Sequence, residues 1–245
     1  MSTGGTMKQT RESSPQLQAR IAGVFYLLTI VTAMFAISVL GRLVVDNDAA
    51  TTATNILAHE SLFRLGFAGF LIGTSCYVAV TALLYELLKP VNRSASLLAA
   101  FLSLVGCTLW VFGCVFYLAV FVVLGGSQYL SVFKLEQLQA MALMFLKLNG
   151  LAFHTCLVFF GLWCVLTGYL IFKSTFMPRI LGLLLAIDGL GWMMFMWPPL
   201  GHYLFLPIGI ACGLAEIPLQ LWLLIFGVNN ERWKAQAEAT DLLGQ

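Results

Sequence analysis

Six apolar stretches, each long enough to cross a lipid bilayer, constrain the fold of this chain more than any other feature. About 20 apolar residues form a helix that crosses the hydrocarbon core. Inside lipid, such a helix satisfies its own backbone hydrogen bonds. The predicted spans are residues 21–40, 62–88, 95–124, 151–172, 179–197 and 203–227. The sequence therefore predicts an all-α polytopic membrane protein built as a bundle of six transmembrane helices.

The composition agrees with this class and argues against several others. Hydrophobic residues make up 60% of the chain and charged residues only 10%, whereas soluble domains contain about 25% charged residues. A net charge of +2, without a basic face, argues against a nucleic-acid partner. All six cysteines lie inside apolar stretches and none forms a CxxC or Cys/His motif. We therefore expect free, buried thiols, no metal site and no cofactor.

Segments outside the spans receive weaker predictions. Residues 1–19 are polar and predict a disordered tail, and residues 229–245 predict a second tail with a short exposed helix. Residues 49–59 follow acidic capping residues and predict a short helix near the membrane surface. Apolar residues at helical spacing in 135–148 predict an interfacial helix before span four. The Asn-Gly pair at 149–150 is the predicted break between the two.

Basic residues near the span ends predict the orientation. Six spans place both termini on one side, which carries nine Lys and Arg residues against four on the opposite side. The side richer in basic residues is usually cytoplasmic. We therefore expect a multi-pass protein with both termini in the cytoplasm.

Several segments together resemble one bacterial inner-membrane family, catalogued as domain of unknown function DUF4386. The segments that carry the resemblance are 20–30, 59–66, 88–94, 159–173, 177–182 and 221–229. The likeness extends over nearly the whole chain and implies six hydrophobic segments of this length, but no activity. An acid at the position of Glu216 belongs to the family pattern, whereas Asp188 departs from it.

The last two spans each carry one acid near the middle, Asp188 and Glu216. At 1.5 Å per residue, both lie roughly 15–17 Å from the cytoplasmic ends of their spans, close to the midplane. A charge there costs roughly 2.5–3.5 kcal/mol on insertion scales. Neither acid has a lysine or arginine within two helical turns. The pair therefore predicts either a proton-handling or substrate-orienting site, or two protonated acids that bond backbone carbonyls.

Further candidate binding residues lie within the spans and at the outer entry to span two. They are His154, Tyr77 and Trp192 in the spans, and an outer polar cluster of His59, Glu60 and Arg64. Glu60 and Arg64 are four residues apart and are expected to pair. Pro218 lies inside span six and predicts a kink there.

Three classes of function remain open from the sequence. The first is binding or moving a small lipophilic or weakly polar molecule in an intramembrane pocket near Glu216. The second is a membrane-embedded enzyme that uses Glu216 and Asp188 as general acid on a lipid or prenyl substrate. The third is a structural or regulatory membrane subunit. A cavity reaching the acids favours the first two classes, and backbone hydrogen bonds to both acids favour the third.

Overall fold

The computed structural model describes residues 14–243, except the side chains of residues 202, 241 and 243. This part of the chain is helical and contains no strand. The helices are α1 Pro15–Leu43, α2 Ala49–Ala58, α3 Glu60–Leu88, α4 Arg93–Leu124, α5 Leu135–Lys173, α6 Arg179–Met193, α7 Pro198–Tyr203, α8 Phe205–Ile225 and α9 Asn230–Leu243. Helices α1, α3, α4, α5 and α8 are long and apolar enough to cross a membrane, and so is α6 together with the 3₁₀ turn that continues it to Met196. The predicted six-span bundle is confirmed.

Helix α1 begins earlier than the sequence predicted. The Ser14 side chain accepts a hydrogen bond from the backbone N–H of Leu17, and Pro15 occupies the first turn. A serine cap followed by proline is a favourable helix start, because the proline lacks only an N–H that would have no partner there. The disordered tail predicted for residues 1–19 is therefore wrong from Pro15 onward. Residues 1–13 lie outside the described residues.

Helix α5 is continuous, so the predicted break at 149–150 and the separate interfacial helix at 135–148 are wrong. Its 39 residues span about 58 Å, more than a bilayer core. Asn149 is buried, and its side-chain Nδ2 donates a hydrogen bond of 2.9 Å to the backbone carbonyl of Gly113 on α4. Because the neighbouring helix satisfies this amide, the asparagine joins two helices instead of starting a turn.

Two short helices pack against the ends of the bundle. Helix α2 confirms the helix predicted for residues 49–59; Asp48 caps it by accepting from the Thr51 N–H, and it packs on α5. Helix α9 confirms the helix predicted in the C-terminal tail. The Trp233 indole Nε1 on α9 donates to the backbone carbonyl of Leu87 on α3 at 2.9 Å. The tail helix is therefore fixed to the end of a membrane span.

Glycines allow α5 and α6 to approach closely at two levels. A Cβ added at Gly189 would lie 2.4 Å from the carbonyl oxygen of Gly161, and one added at Gly182 would lie 2.4 Å from that of Gly168. Small residues are typical of membrane helices whose backbones touch. This close crossing sets the distance between the side chains that α5 and α6 present to each other.

Candidate functional site

The two midplane acids meet in the folded protein. Asp188 on α6, Glu216 on α8 and Cys164 on α5 each offer one side-chain donor atom, and the three atoms lie within 4.8 Å of one another. Helices α6 and α8 run antiparallel, and the Cys212 thiol on α8 contacts the backbone carbonyl of Asp188 at 3.4 Å. Glu216 lies one helical turn after Cys212. The matched depth inferred from the sequence therefore corresponds to a direct approach of the two carboxyl groups.

The close crossing of α5 and α6 brings the thiol to the acids. A Cβ at Gly189 would lie 2.9 Å from the Cβ of Cys164. Asp188 immediately precedes Gly189 in α6. Because no side chain separates the two helices at this level, the Cys164 thiol reaches the Asp188 carboxyl.

Asp188 is buried among polar groups, none of which, in the described part of the chain, forms a hydrogen bond of standard geometry with its carboxyl. Its side chain is 1% exposed, and neither carboxyl oxygen has a hydrogen-bond partner among the described residues. The groups around it are the thiols of Cys164 and Cys212, the carboxyl of Glu216 and the indole of Trp192. An unsatisfied buried polar group costs about 1–3 kcal/mol. Such a group calls for an explanation, because most buried polar atoms in folded proteins are bonded.

The charge of the acid pair is not balanced by a base. Among residues 14–243, neither Asp188 nor Glu216 forms an ion pair with a lysine or arginine. Glu216 is partly exposed, whereas Asp188 is buried. Burial favours the neutral form of a carboxylic acid unless a cation or a hydrogen-bond donor stabilises the anion. The two acids can therefore stay protonated or accept a cation.

Aromatic side chains from three helices lie beside the acids. Tyr26 on α1 and Tyr77 on α3 meet edge to face at 5.8 Å, and Tyr77 lies 5.4 Å from Trp163 on α5. Tyr26 is within electrostatic range of Glu216 and Asp188. Its buried hydroxyl faces Tyr77 but forms no hydrogen bond of standard geometry in the described part of the chain. We call the following six residues the central polar cluster: Tyr26, Tyr77, Cys164, Asp188, Trp192 and Glu216.

A groove of about 390 Å³ between α6 and α8 leads to this cluster, with Asp188 in its wall. Its other lining residues, which include Gly191, Met194 and Ala211, lack ionisable carboxyl groups. The flanking side chains Ile187 and Leu190 are 55% and 58% exposed. Since these residues lie within a membrane span, the exposed surface faces lipid. The groove is therefore open sideways, toward the hydrocarbon of the bilayer.

His154 lies apart from the central polar cluster. It stacks on Phe195 at 5.1 Å and lies 5.7 Å from Phe205, in an aromatic group nearer the opposite end of the bundle from the termini. On α5 it is ten residues from Cys164, which is about 15 Å along the helix axis. The structure therefore brings Tyr77, Trp192 and both acids together, but not this histidine.

The outer polar cluster lies at the exposed start of α3. Arg64 pairs with Glu60 at 2.5 Å and also lies over the ring of Phe121, 4.3 Å from its centroid. His59 Nδ1 lies 3.1 Å from the backbone carbonyl of Asn55. The predicted Glu60–Arg64 pair is confirmed. These residues make a local surface network and do not join the central polar cluster.

Sequence reasoning missed two members of the central polar cluster. Cys164 was interpreted as one of six ordinary buried thiols, and Tyr26 as part of an apolar span. The thiol of Cys164 and the hydroxyl of Tyr26 come from helices that are distant in sequence from those of the acids. No fixed residue spacing therefore predicts that these groups meet. Polarity was the available signal: Tyr26 is a hydroxyl-bearing residue inside the first span, where its hydroxyl needs a partner.

The fold defines a multi-pass, all-helical membrane protein, and its family can now be stated. The chain belongs to the family described as Domain of unknown function (DUF4386), whose model matches residues 21–227. A relative from Archaeoglobus fulgidus, described as an uncharacterized protein, is 28% identical over 152 residues, which cover 61% of this chain and 76% of the relative. No solved structure matches the chain significantly. The resemblance inferred from the sequence is confirmed.

Proposed function

We propose that this protein binds or moves a small lipophilic or weakly polar molecule, which enters the groove between α6 and α8 from the lipid. The observation that carries this proposal is the buried Asp188: the residue lines the groove, and its carboxyl oxygens, which neighbouring side chains cover, have no hydrogen-bond partner among the described residues. An amphiphile whose hydroxyl displaced those neighbouring side chains and donated to Asp188 would satisfy this group.

The size and lining of the groove support an amphiphilic ligand. Its volume of about 390 Å³ lies within the usual range for small-molecule sites, roughly 300–1,000 Å³. An almost entirely apolar lining with one polar group is the usual composition of such sites, because the apolar wall accepts hydrocarbon and the polar group orients it. One carboxyl oxygen of Asp188 and one of Glu216 lie within 4.8 Å of each other. Chemical conversion of the bound lipid that is lost in Glu216→Gln would identify the protein as an enzyme that uses this pair as general acid.

Photolabelling tests this proposal in the purified full-length protein. A long-chain alcohol that carries a diazirine on its chain should label α6 and α8 around the groove, and the matched alkane should label this region less. Ala211→Trp fills the groove from α8 and should reduce this labelling about tenfold, equivalent to about 1.4 kcal/mol of binding free energy. The measurement is peptide mapping by mass spectrometry.

Ala82→Trp is the matched control, because Ala82 is an exposed residue of α3 within the membrane and outside the groove. It adds the same bulk to a lipid-facing surface and should leave labelling unchanged. Labelling spread evenly over the lipid-facing helices, or unaffected by Ala211→Trp, would exclude the groove as a binding site.

We also propose that the protein lies in a bacterial cytoplasmic membrane with both termini in the cytoplasm, as the nine-to-four bias of basic residues indicates. Reporter fusions at residues 128 and 201 should give an external signal, and fusions at residues 91 and 176 a cytoplasmic one. A cytoplasmic signal at residue 201 would be incompatible with this orientation.

A further inference from the structure

We propose that Cys164, Asp188 and Glu216 form a binding site for a divalent transition metal of the zinc class. Their donor atoms, one thiol sulfur and two carboxylate oxygens, converge from three helices to within 4.8 Å of one another. Zinc binds sulfur at about 2.3 Å and carboxylate oxygen at about 2.0–2.2 Å. Tetrahedral ligands at these bond lengths lie roughly 3.3–3.7 Å apart. The three donor atoms would therefore have to approach one another by up to roughly 1.5 Å to reach the coordination geometry.

The unsatisfied carboxyl of Asp188 is the independent observation that points to a cation. It is 1% exposed, and in the described part of the chain both of its oxygens lack a hydrogen-bond partner. Carboxylate oxygens accept hydrogen bonds but cannot donate them, so the oxygens of Asp188 would bind a cation directly. Because Glu216 also lacks a basic partner among the described residues, a divalent cation would offset two of the three negative charges of the deprotonated ligands.

The thiol selects the class of metal. Magnesium and calcium prefer oxygen ligands, whereas a cysteine ligand favours zinc and its softer neighbours. Cys164 and Asp188 are buried and Glu216 is partly exposed, so the ion would enter past Glu216. Three protein ligands leave one position of a tetrahedron free for an exogenous group. Because thiol and carboxyl protons must leave when the metal binds, affinity should fall as the pH falls.

Cobalt(II) is a suitable spectroscopic probe of this site. The full-length protein in detergent, stripped with a chelator, should bind one Co²⁺ per chain. The bound ion should show the sulfur-to-cobalt charge-transfer absorption of a thiolate ligand and the visible bands of a tetrahedral ion, and Zn²⁺ should displace it. Cys164→Ser should abolish the charge-transfer band, and Glu216→Gln should weaken Co²⁺ binding at least about tenfold.

Cys76→Ser is the matched control, because Cys76 is also a buried thiol but lies on α3 outside the three-residue site. Its Co²⁺ spectrum should equal that of the parent. If Cys164→Ser does not fold, Glu216→Gln decides the question, since it keeps the size of a partly exposed side chain. An octahedral spectrum without a thiolate band, or a thiolate band that survives in both Cys164→Ser and Glu216→Gln, would refute the site. The photolabelling experiment, which needs no metal, would be unaffected by that result.

Discussion

Gly189→Ala should destabilise the protein by about 3 kcal/mol or more, at or above the upper end of the usual range for an overpacked site. The added Cβ would lie 2.4 Å from the Gly161 carbonyl oxygen and 2.9 Å from the Cβ of Cys164. Because the nearest atom to the added Cβ belongs to the backbone of α5, the clash can be relieved only if α5 and α6 move apart. The effect can be measured by equilibrium unfolding in detergent micelles, followed by tryptophan fluorescence. Separation would also move Asp188 away from Cys164, so the Co²⁺ charge-transfer band should be lost.

Gly209→Ala is the control for this prediction. Gly209 is also inside a membrane helix, α8, but a Cβ there would meet no described heavy atom within 4 Å. Replacing a helical glycine with alanine stabilises the helix by about 0.5–1 kcal/mol when space is available. We therefore expect Gly189→Ala to lower the stability of the protein and Gly209→Ala to raise it. Equal effects would show that helix propensity, and not the contact between α5 and α6, determines the response at Gly189.

The six spans could be predicted because their signal is local. A run of apolar residues long enough to cross lipid has few alternative structures. The break at 149–150 was wrong because Asn149 and Gly150 resemble a turn only when considered alone. The carbonyl of Gly113, which satisfies Asn149, is contributed by another helix. The kink at Pro218 stays a prediction, and α8 is continuous through this proline.

The site was only partly predictable for the same reason. Asp188 and Glu216 could be identified because each is a lone acid in an apolar helix, and the helix rise placed them at one depth. Cys164 and Tyr26 could not be placed beside them, because helix rise gives depth but not which faces meet. That information lies in the close approach of Gly189 to Gly161, which depends on how α5 and α6 pack.

Asp188→Leu should raise the stability of the metal-free, ligand-free protein by about 1–3 kcal/mol, the usual cost of an unsatisfied buried polar group. Leucine has the same number and branching of side-chain heavy atoms and leaves no polar atom without a partner. Asp188→Asn is the control: its amide keeps an uncompensated polar group in the same place, so it should give little or no gain. The comparison uses unfolding midpoints of the parent and both variants in the same detergent.

Stability and binding should change in opposite directions at this position. If Asp188 is retained to hold a ligand or a metal ion, Asp188→Leu should be more stable yet lose both alcohol photolabelling at the groove and the Co²⁺ charge-transfer band. Glu216→Gln combined with Asp188→Asn should be non-additive in stability by about 0.5–3 kcal/mol, because the two carboxyls are in direct range of each other. A loss of stability in Asp188→Leu would mean that the carboxyl is bonded within the folded bundle. The acid pair would then be structural, and the third class of function, a structural or regulatory membrane subunit, would be the better explanation of this site.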